Sequence, residues 1–494
     1  MSLSVECAAE VSSDLLIDGE WVATDERLPV TDKYTGQTLA EVSVAGREDV
    51  ARAVAAANRA STAGAPPSYE RYAILERAVG LMREREAAFV ETTVAEAGFT
   101  IADAQRDFQR SLQTLTHSAE EAKRIAGEMV PIDGAPGQQD RLAFTLRVPL
   151  GVVAAITPFN SPLNTVVHKV APALAAGNAV VLKPATMTPL TAAMLCRVLL
   201  DAGLPPGLIA LVHGSGASVG RWLVAEPAVR FVSFTGSTAV GLEIQAAAGT
   251  RRTQMELGSI ASTIVCDDAD IARALPKIVD GAFRKAGQVC TSVQRLHVAR
   301  SRMAELREAL REAVPELKAG DPRDPETVVG PMIAEREAAR AQSWCEEAVA
   351  AGARRLVGGS RHRAVLAPTV LDAVPAGCRV VTEEIFAPVV SLVGFDTLAE
   401  AIDDVNATPY GLATGIFTTS IDAALVAARR LRVGSVHVNQ TSSSRVDSMP
   451  YGGVKDSGFG HEGPKYAIRE LTEERLVTIS LDAAIADVRQ SGKA

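Results

Sequence analysis

Between Gly151 and Leu257, short uninterrupted apolar runs alternate with segments whose apolar residues recur at helical spacing. The pattern predicts strands at 151–156, 179–182, 208–212, 229–234 and 253–257. It predicts helices between them at 163–176, 189–202, 217–225 and 238–248. A strand apolar at every position is buried on both faces, and strict strand–helix alternation makes the sheet parallel. A second alternation begins at Ser259, with helices at 268–287, 301–314, 334–351 and 398–406 and strands at 296–299, 365–370, 389–393 and 434–439. The first part differs: a strand pair at 15–22 turns on Asp18-Gly19, and charged, Ala- and Leu-rich helices follow at 47–60, 69–96 and 101–128. Two segments, 141–147 and 473–481, alternate apolar and polar residues and read as half-exposed edge strands, with an oligomer contact as the competing reading.

Composition narrows the function. The 494 residues, 47% of them hydrophobic and 22% charged, can bury a sizeable core and suggest about three domains. The 59 acidic residues outnumber the 50 basic ones, for a net charge of −9, which argues against a nucleic-acid or anionic-membrane partner. Six cysteines with no CxxC pair exclude a disulfide scaffold and supply no metal-site spacing. The N-terminus lacks a basic and apolar leader, and the apolar run 170–182 is too short to span a bilayer, so a cytoplasmic setting is expected.

In an open parallel sheet, ligands bind beyond the carboxyl ends of the strands. Those ends carry Thr157-Pro158-Phe159-Asn160, Lys183-Pro184-Ala185-Thr186, Gly214-Ser215-Gly216, Thr235-Gly236-Ser237 and Glu256-Leu257-Gly258. Each alone is a turn or a cap. Together they place an amide, an ammonium, helix-opening glycines and a carboxylate on one edge, which favours a ligand cleft. Gly236 and Ser237 at a helix start suit a phosphate. The literal GxGxxG at 458–463 follows no strand and is set aside as a dinucleotide fingerprint. Among the cysteines, Cys290 stands apart: Gly287 ends a helix before it and Thr291-Ser292 follow, which puts the thiol on a polar turn where a nucleophile needs to be. Of the seven histidines only His297 lies near it in sequence, inside a strand pattern, so a Cys–His hydrolase pair has no support there.

These residues, with Gly287-Gln288-Val289-Cys290, Glu383-Glu384-Ile385-Phe386-Ala387-Pro388 and Pro450-Tyr451-Gly452-Gly453-Val454-Lys455, resemble the aldehyde dehydrogenase superfamily in kind and order over nearly the whole chain. The resemblance implies an α/β fold in three parts: a Rossmann-like cofactor domain (1–127 and 150–258), an α/β catalytic domain (259–465) and a small β oligomerisation module (128–149 and 466–494). It implies NAD or NADP as cofactor and a homodimer or homotetramer. Cys290 would attack the aldehyde, the Asn160 amide and the Cys290 N–H would hold the oxyanion, and Glu256 would activate the water that hydrolyses the thioester. Coenzyme A-acylating relatives commonly lack that carboxylate, so Glu256 favours a free acid product. Thr157 and Pro158 would line the cofactor site, Lys183 would hold the adenosine ribose, Gly216, Gly236 and Ser237 the pyrophosphate, and Glu384 with Phe386 the nicotinamide ribose. Thr186 stands where NAD-preferring members often have Glu, and without that repulsion a dual or NADP-leaning preference is expected.

The substrate segment 439–447 is polar, and Ser161 adds a small polar group. Arg445, with Arg110 and Arg106 from the 101–128 helix, would suit an anionic substrate, although a structural role is the better expectation for the helix pair. The stretch 445–468 resembles the lactaldehyde and phosphonoacetaldehyde subgroup. The reading is therefore oxidation of a small, polar, anionic aldehyde to its acid. The alternatives are the same chemistry on a neutral semialdehyde or an aromatic aldehyde, or a cofactor-independent cysteine esterase.

Overall fold

The computed structural model describes residues 12–480, so Cys7 and the tail of the 466–494 segment lie outside the described residues. Five parallel strands, Val152–Ile156, Ala179–Lys183, Ile209–Leu211, Val229–Thr235 and Arg252–Glu256, form the centre of an eight-stranded sheet. In sheet order the third strand lies beside the second, then the first, fourth and fifth, so the order reverses between Val152–Ile156 and Val229–Thr235. Every residue of Val152–Ile156 and Ala179–Lys183 is buried, as their unbroken apolar runs require. The hairpin Leu15–Ile17/Glu20–Val22 extends one edge, with Asp18 and Gly19 both at positive φ in the turn. Gly458–Phe459 closes the other edge antiparallel to Met255 and Glu256, so the GxGxxG segment borders the sheet.

The second sheet has seven strands, in the order Arg354–Val357, Thr369–Asp372, Val389–Phe395, Arg295–Ala299, Ser262–Val265, Ala413–Phe417 and Ser435–Val438. All neighbours are parallel except the first pair. Two of its central strands, Ser262–Val265 and Ala413–Phe417, have no strong apolar run, because Ser262, Thr263, Thr414 and Gly415 dilute it. Each sheet has its own apolar core, one centred on Val153, Val181 and Phe108, the other on Val298, Ile278 and Leu371.

Several expected elements are corrected. The 69–96 helix is two, Ser68–Glu84 and Glu86–Ala97. The break falls at Arg85, whose N–H turns back to Met82 while its guanidinium pairs with Asp201 at 2.7 Å. The 365–370 strand divides around Pro368, which has no N–H to continue a ladder. The 268–287 helix ends at Phe283, after which Lys285, Ala286 and Gly287 all take positive φ. The 217–225 helix is a wide turn, Gly216–Gly220, leading into Arg221–Ala225. Arg141–Pro149 is not an edge strand. It is the middle of a three-stranded antiparallel sheet between Thr472–Ser480 and Met129–Val130, because its polar–apolar alternation is matched by both neighbours within the chain.

Candidate active site

One cleft of about 850 Å³ collects the loops beyond the first sheet's carboxyl edge and faces a turn from the second sheet's side. It opens at the strand-order reversal, where a doubly wound sheet leaves room for a ligand. Thr157 and Thr235 follow or end the two strands flanking that point, and both hydroxyl oxygens are buried with no partner among the described residues. They are polar groups left for something in the cleft to satisfy. Thr157, Pro158, Asn160, Ser161, Lys183, Thr186, Gly216, Gly236, Ser237, Glu256, Cys290, Glu384, Phe386, Arg110 and Arg445 all line it.

The Cys290 turn is held by close backbone approach. Gly287 has φ +67°, and a Cβ there would fall 2.1 Å from the Ala387 carbonyl oxygen. No other residue fits that position. Asn160 Nδ2 donates to the Gln288 carbonyl at 2.9 Å, and Lys285 Nζ donates to the Asn160 carbonyl at 3.3 Å and to Asp107 at 3.0 Å. The amide and the thiol therefore sit on loops bonded to each other. Cys290 is partly accessible, whereas Cys196, Cys266 and Cys345 are buried and Cys378 lies outside the cleft. Burial pushes the Cys290 thiol up to about 11, against the pull of the Tyr451 hydroxyl and the Arg445 charge.

Glu256 ends its strand fully buried, with Oε1 accepting from Gln254 at 3.2 Å and Oε2 unpartnered among the described residues. Burial raises its pKa well above the ordinary carboxylate range, and the nearby Glu462 charge raises it further. Glu462 is held down to about 2 because Lys169 (3.2 Å) and Arg445 (2.7 Å) outweigh its own burial. Of the two carboxylates, Glu462 keeps the charge and Glu256 is the one poised to take a proton.

The cofactor-side residues form a second group. Burial lowers Lys183 to about 8, and its only acceptor among the described residues is the Pro184 carbonyl at 3.0 Å. Thr186 donates to the Gly214 carbonyl at 3.0 Å, and no carboxylate occupies its place. Ser237 precedes the helix Thr238–Ala248 without capping it, leaving the first N–H groups open toward the cleft. Glu384 accepts the Ser259 N–H at 2.9 Å, and burial raises it to about 7. Phe386 packs edge-on against Phe159 with ring centres 5.9 Å apart. A buried ammonium, an open helix start, orphaned threonine hydroxyls and a carboxylate suit a dinucleotide's phosphates and ribose hydroxyls.

Arg110 and Arg445 are both ion-paired. Arg110 makes a two-pronged contact with Asp447 (2.7 and 3.0 Å), and Arg445 pairs with Glu462 and lies 3.7 Å over the Tyr451 ring. Ser161 donates to Asp107. Arg106 pairs with Asp280 at the surface, the structural role expected for it. Sequence reasoning missed Arg284, which the interrupted helix end brings into the cleft. Its guanidinium donates to the Ser443 carbonyl and hydroxyl, and the nearest carboxylate, Asp280, is 4.0 Å away. It also assigned no role to Tyr451, whose hydroxyl lies 2.9 Å from Cys290 Sγ. No histidine lines the cleft, and His297 is bonded to Asp404 at 2.7 Å inside the second sheet, so the geometry contains no Cys–His pair.

Asp447 ties this wall together, accepting from Arg110, Asn164 (3.0 Å) and His168 (2.9 Å). Burial pushes its pKa up, but the bonds from His168 and Arg110 win and hold it below the usual range. Its contribution to stability is therefore complete above the unfolded value, about 3.9, and fades as pH falls toward the folded one. Asp447→Asn leaves the half-buried Arg110 without its counter-charge and is expected to cost up to about 3 kcal/mol, read as a lower denaturant midpoint at neutral pH. The difference from wild type should shrink in acid; a gap that stays constant with pH rules out this ion pair as the source.

Two sheets meeting over one cleft, with a partly accessible thiol on one side and polar groups that suit a dinucleotide on the other, fit an α/β oxidoreductase. The chain belongs to the aldehyde dehydrogenase family, whose sequence pattern matches residues 21–477. It is 46% identical over 467 residues to a 3-sulfolactaldehyde dehydrogenase of Priestia aryabhattai, covering 94% of this chain and 98% of that one. Among solved structures it superposes at TM-score 0.93 on aldehyde dehydrogenase 21 from Physcomitrella patens in complex with the reaction product succinate, at 37% identity over 95% of this chain and 98% of that one. It superposes equally well on an NADP-dependent glyceraldehyde-3-phosphate dehydrogenase from Bacillus halodurans complexed with NADP (0.93, 36%, 95% and 99%). The resemblance read from the motifs and the α/β fold class are borne out. Among the described residues no helix is long and apolar enough to cross a membrane, and no acidic, histidine or cysteine cluster is arranged for a metal.

Proposed function

We propose that this enzyme oxidises a small, polar, anionic aldehyde to its carboxylic acid, with NAD or NADP as cofactor. The observation that carries the substrate class is Arg284: of the five arginines lining the cleft, Arg110, Arg336, Arg340 and Arg445 each have a carboxylate within 3.3 Å, whereas the nearest to Arg284 lies 4.0 Å away. Its charge is free to recognise an anionic group, while Arg110, Arg445 and Ser161 set the wall around it. The three relatives support the reading, since their names carry a sulfonate, a dicarboxylate product and a phosphate.

Cys290 Sγ attacks the carbonyl carbon, and the carbonyl electron pair moves to oxygen. Asn160 Nδ2 and the Cys290 N–H donate to that oxygen. NAD(P)+, when bound, would supply the hydride acceptor for this adduct, and the acyl group would remain on Cys290 as a thioester. Glu256 takes a proton from water, whose oxygen displaces the thiol and releases the acid. Lys183, Thr186, Gly216, Gly236 and Ser237 would hold the adenosine ribose and pyrophosphate, and Thr157, Pro158, Glu384 and Phe386 the nicotinamide half. The absence of a carboxylate at Thr186 leaves NADP acceptable. The three-stranded sheet, where Leu142 and Ile479 pair directly and are both exposed, is the proposed contact for a homodimer or homotetramer.

The test is a panel of anionic, neutral and aromatic aldehydes with each dinucleotide, followed by reduced-cofactor absorbance. No signal with any aldehyde overturns the reaction, and a preference for neutral substrates overturns the substrate class. In the same panel Arg284→Gln should raise KM for anionic aldehydes about 10- to 100-fold, the size of a lost charge-assisted hydrogen bond, and that for neutral ones by less than about twofold. An equal rise for both would remove Arg284 from substrate recognition.

A further inference from the structure

Tyr451 is a buried phenol whose hydroxyl has one polar partner, Cys290 Sγ at 2.9 Å. A phenylalanine would fill the same space, keep the Arg445 guanidinium over the ring and avoid burying a hydroxyl. The ring is fixed from both sides. Tyr451 N–H donates to the Glu462 carbonyl at 3.1 Å, Glu462 N–H returns to the Tyr451 carbonyl at 2.7 Å, and the Glu462 carboxylate clamps Arg445 onto the ring. The groups acting on the sulfur come from several elements. Glu256, at the end of its strand, and Glu384, on the loop before Val389–Phe395, both oppose a negative sulfur. Arg445, on the loop after Ser435–Val438, favours it, but its charge is largely answered by Glu462. Among the described residues Tyr451 is the one direct hydrogen-bond partner of the sulfur.

We infer that Tyr451 is a catalytic residue: its phenol donates to Cys290 Sγ, favouring the thiolate over the thiol, and releases the sulfur as the bond to the aldehyde carbon forms. The inference rests on Cys290 being the nucleophile. The thiol proton leaves to water in the cleft, the sulfur pair forms the carbon–sulfur bond, and the carbonyl pair passes to oxygen. The phenol keeps its proton throughout. Charge leaves the sulfur during attack, so the donor stabilises the starting thiolate more than the adduct. It trades some intrinsic nucleophilicity for a larger thiolate population.

That trade-off sets the test, on full-length enzyme with Tyr451→Phe. The thiolate's ultraviolet absorbance, taken as the difference from Cys290→Ser, should titrate about one pH unit higher, a roughly tenfold loss of thiolate at a given pH. The less stabilised thiolate is about threefold more nucleophilic, so alkylation of Cys290 by iodoacetamide at neutral pH should fall only about three- to fourfold. The acid limb of kcat/KM should move up with the titration. Site-specific fluorotyrosine at 451, a stronger donor, should move the midpoint down, and it keeps the test available if the phenylalanine variant folds poorly. An unchanged midpoint in either variant overturns the proposal, including where kcat/KM falls, because a packing defect lowers rate without moving the titration. Full aldehyde oxidation by Cys290→Ser would instead overturn the nucleophile itself.

Discussion

Cys290→Ser is expected to lose aldehyde oxidation by about 10⁴-fold or more in kcat/KM while binding the dinucleotide within about twofold of wild type. The loss, at least about 5 kcal/mol of barrier, follows from what surrounds the position. A serine hydroxyl titrates far above a thiol and needs an adjacent base to attack a carbonyl. No histidine lines the cleft to serve as one, and the neighbour at 2.9 Å is a phenol. The substitution preserves volume and removes no buried ion pair, so the turn held by Gly287 and the Asn160–Gln288 bond should survive it. Steady-state formation of reduced cofactor gives the rate, and titration of NADPH fluorescence gives the binding. Retention of a tenth of wild-type activity would place the nucleophile elsewhere. Ester hydrolysis without dinucleotide should vanish in the same variant; if it persists, a second hydrolytic centre that does not use Cys290 exists.

The first sheet was legible because its strands are buried on both faces. Continuous apolar runs such as Val152–Ile156 mark themselves in sequence, and the residues after them fall at one edge by topology alone. Thr157, Lys183, Gly236 and Glu256 were found that way, and the structure brings them to one cleft. The second sheet was less legible. Ser262–Val265 and Ala413–Phe417 are central strands with small polar residues, buried by neighbours from distant parts of the chain. The partners of the arginines were not legible for a related reason. A sequence shows charge but not its partner, so nothing in it marked Glu462 against Arg445 or Asp447 against Arg110. Arg284 fell inside the expected 268–287 helix because the positive-φ break at Lys285 and Ala286 has no signature in residue type. Tyr451 carried no mark of its role, since its contact with Cys290 spans 161 residues.

Glu256→Gln is expected to separate the two halves of the reaction. Glutamine keeps the size of the side chain and its neighbour Gln254, and it leaves Glu462 paired with Lys169 and Arg445. What it removes is a carboxylate able to take a proton from water. Thioester formation should proceed and hydrolysis should fail, giving one equivalent of reduced cofactor per active site in a rapid burst and then a kcat about 10²- to 10⁴-fold below wild type. Mass spectrometry of the quenched enzyme should find the acyl group on Cys290. The pH profile carries an independent sign. A general base acts when deprotonated, and burial first, then the Glu462 charge, holds Glu256 protonated to higher pH than an ordinary carboxylate. Where hydrolysis limits turnover, wild-type kcat should therefore rise with pH above the ordinary carboxylate range, and that limb should be missing in the variant. Lost turnover with no burst would mean that thioester formation had failed. Glu256 would then serve the attack of Cys290, and another group would have to activate the water.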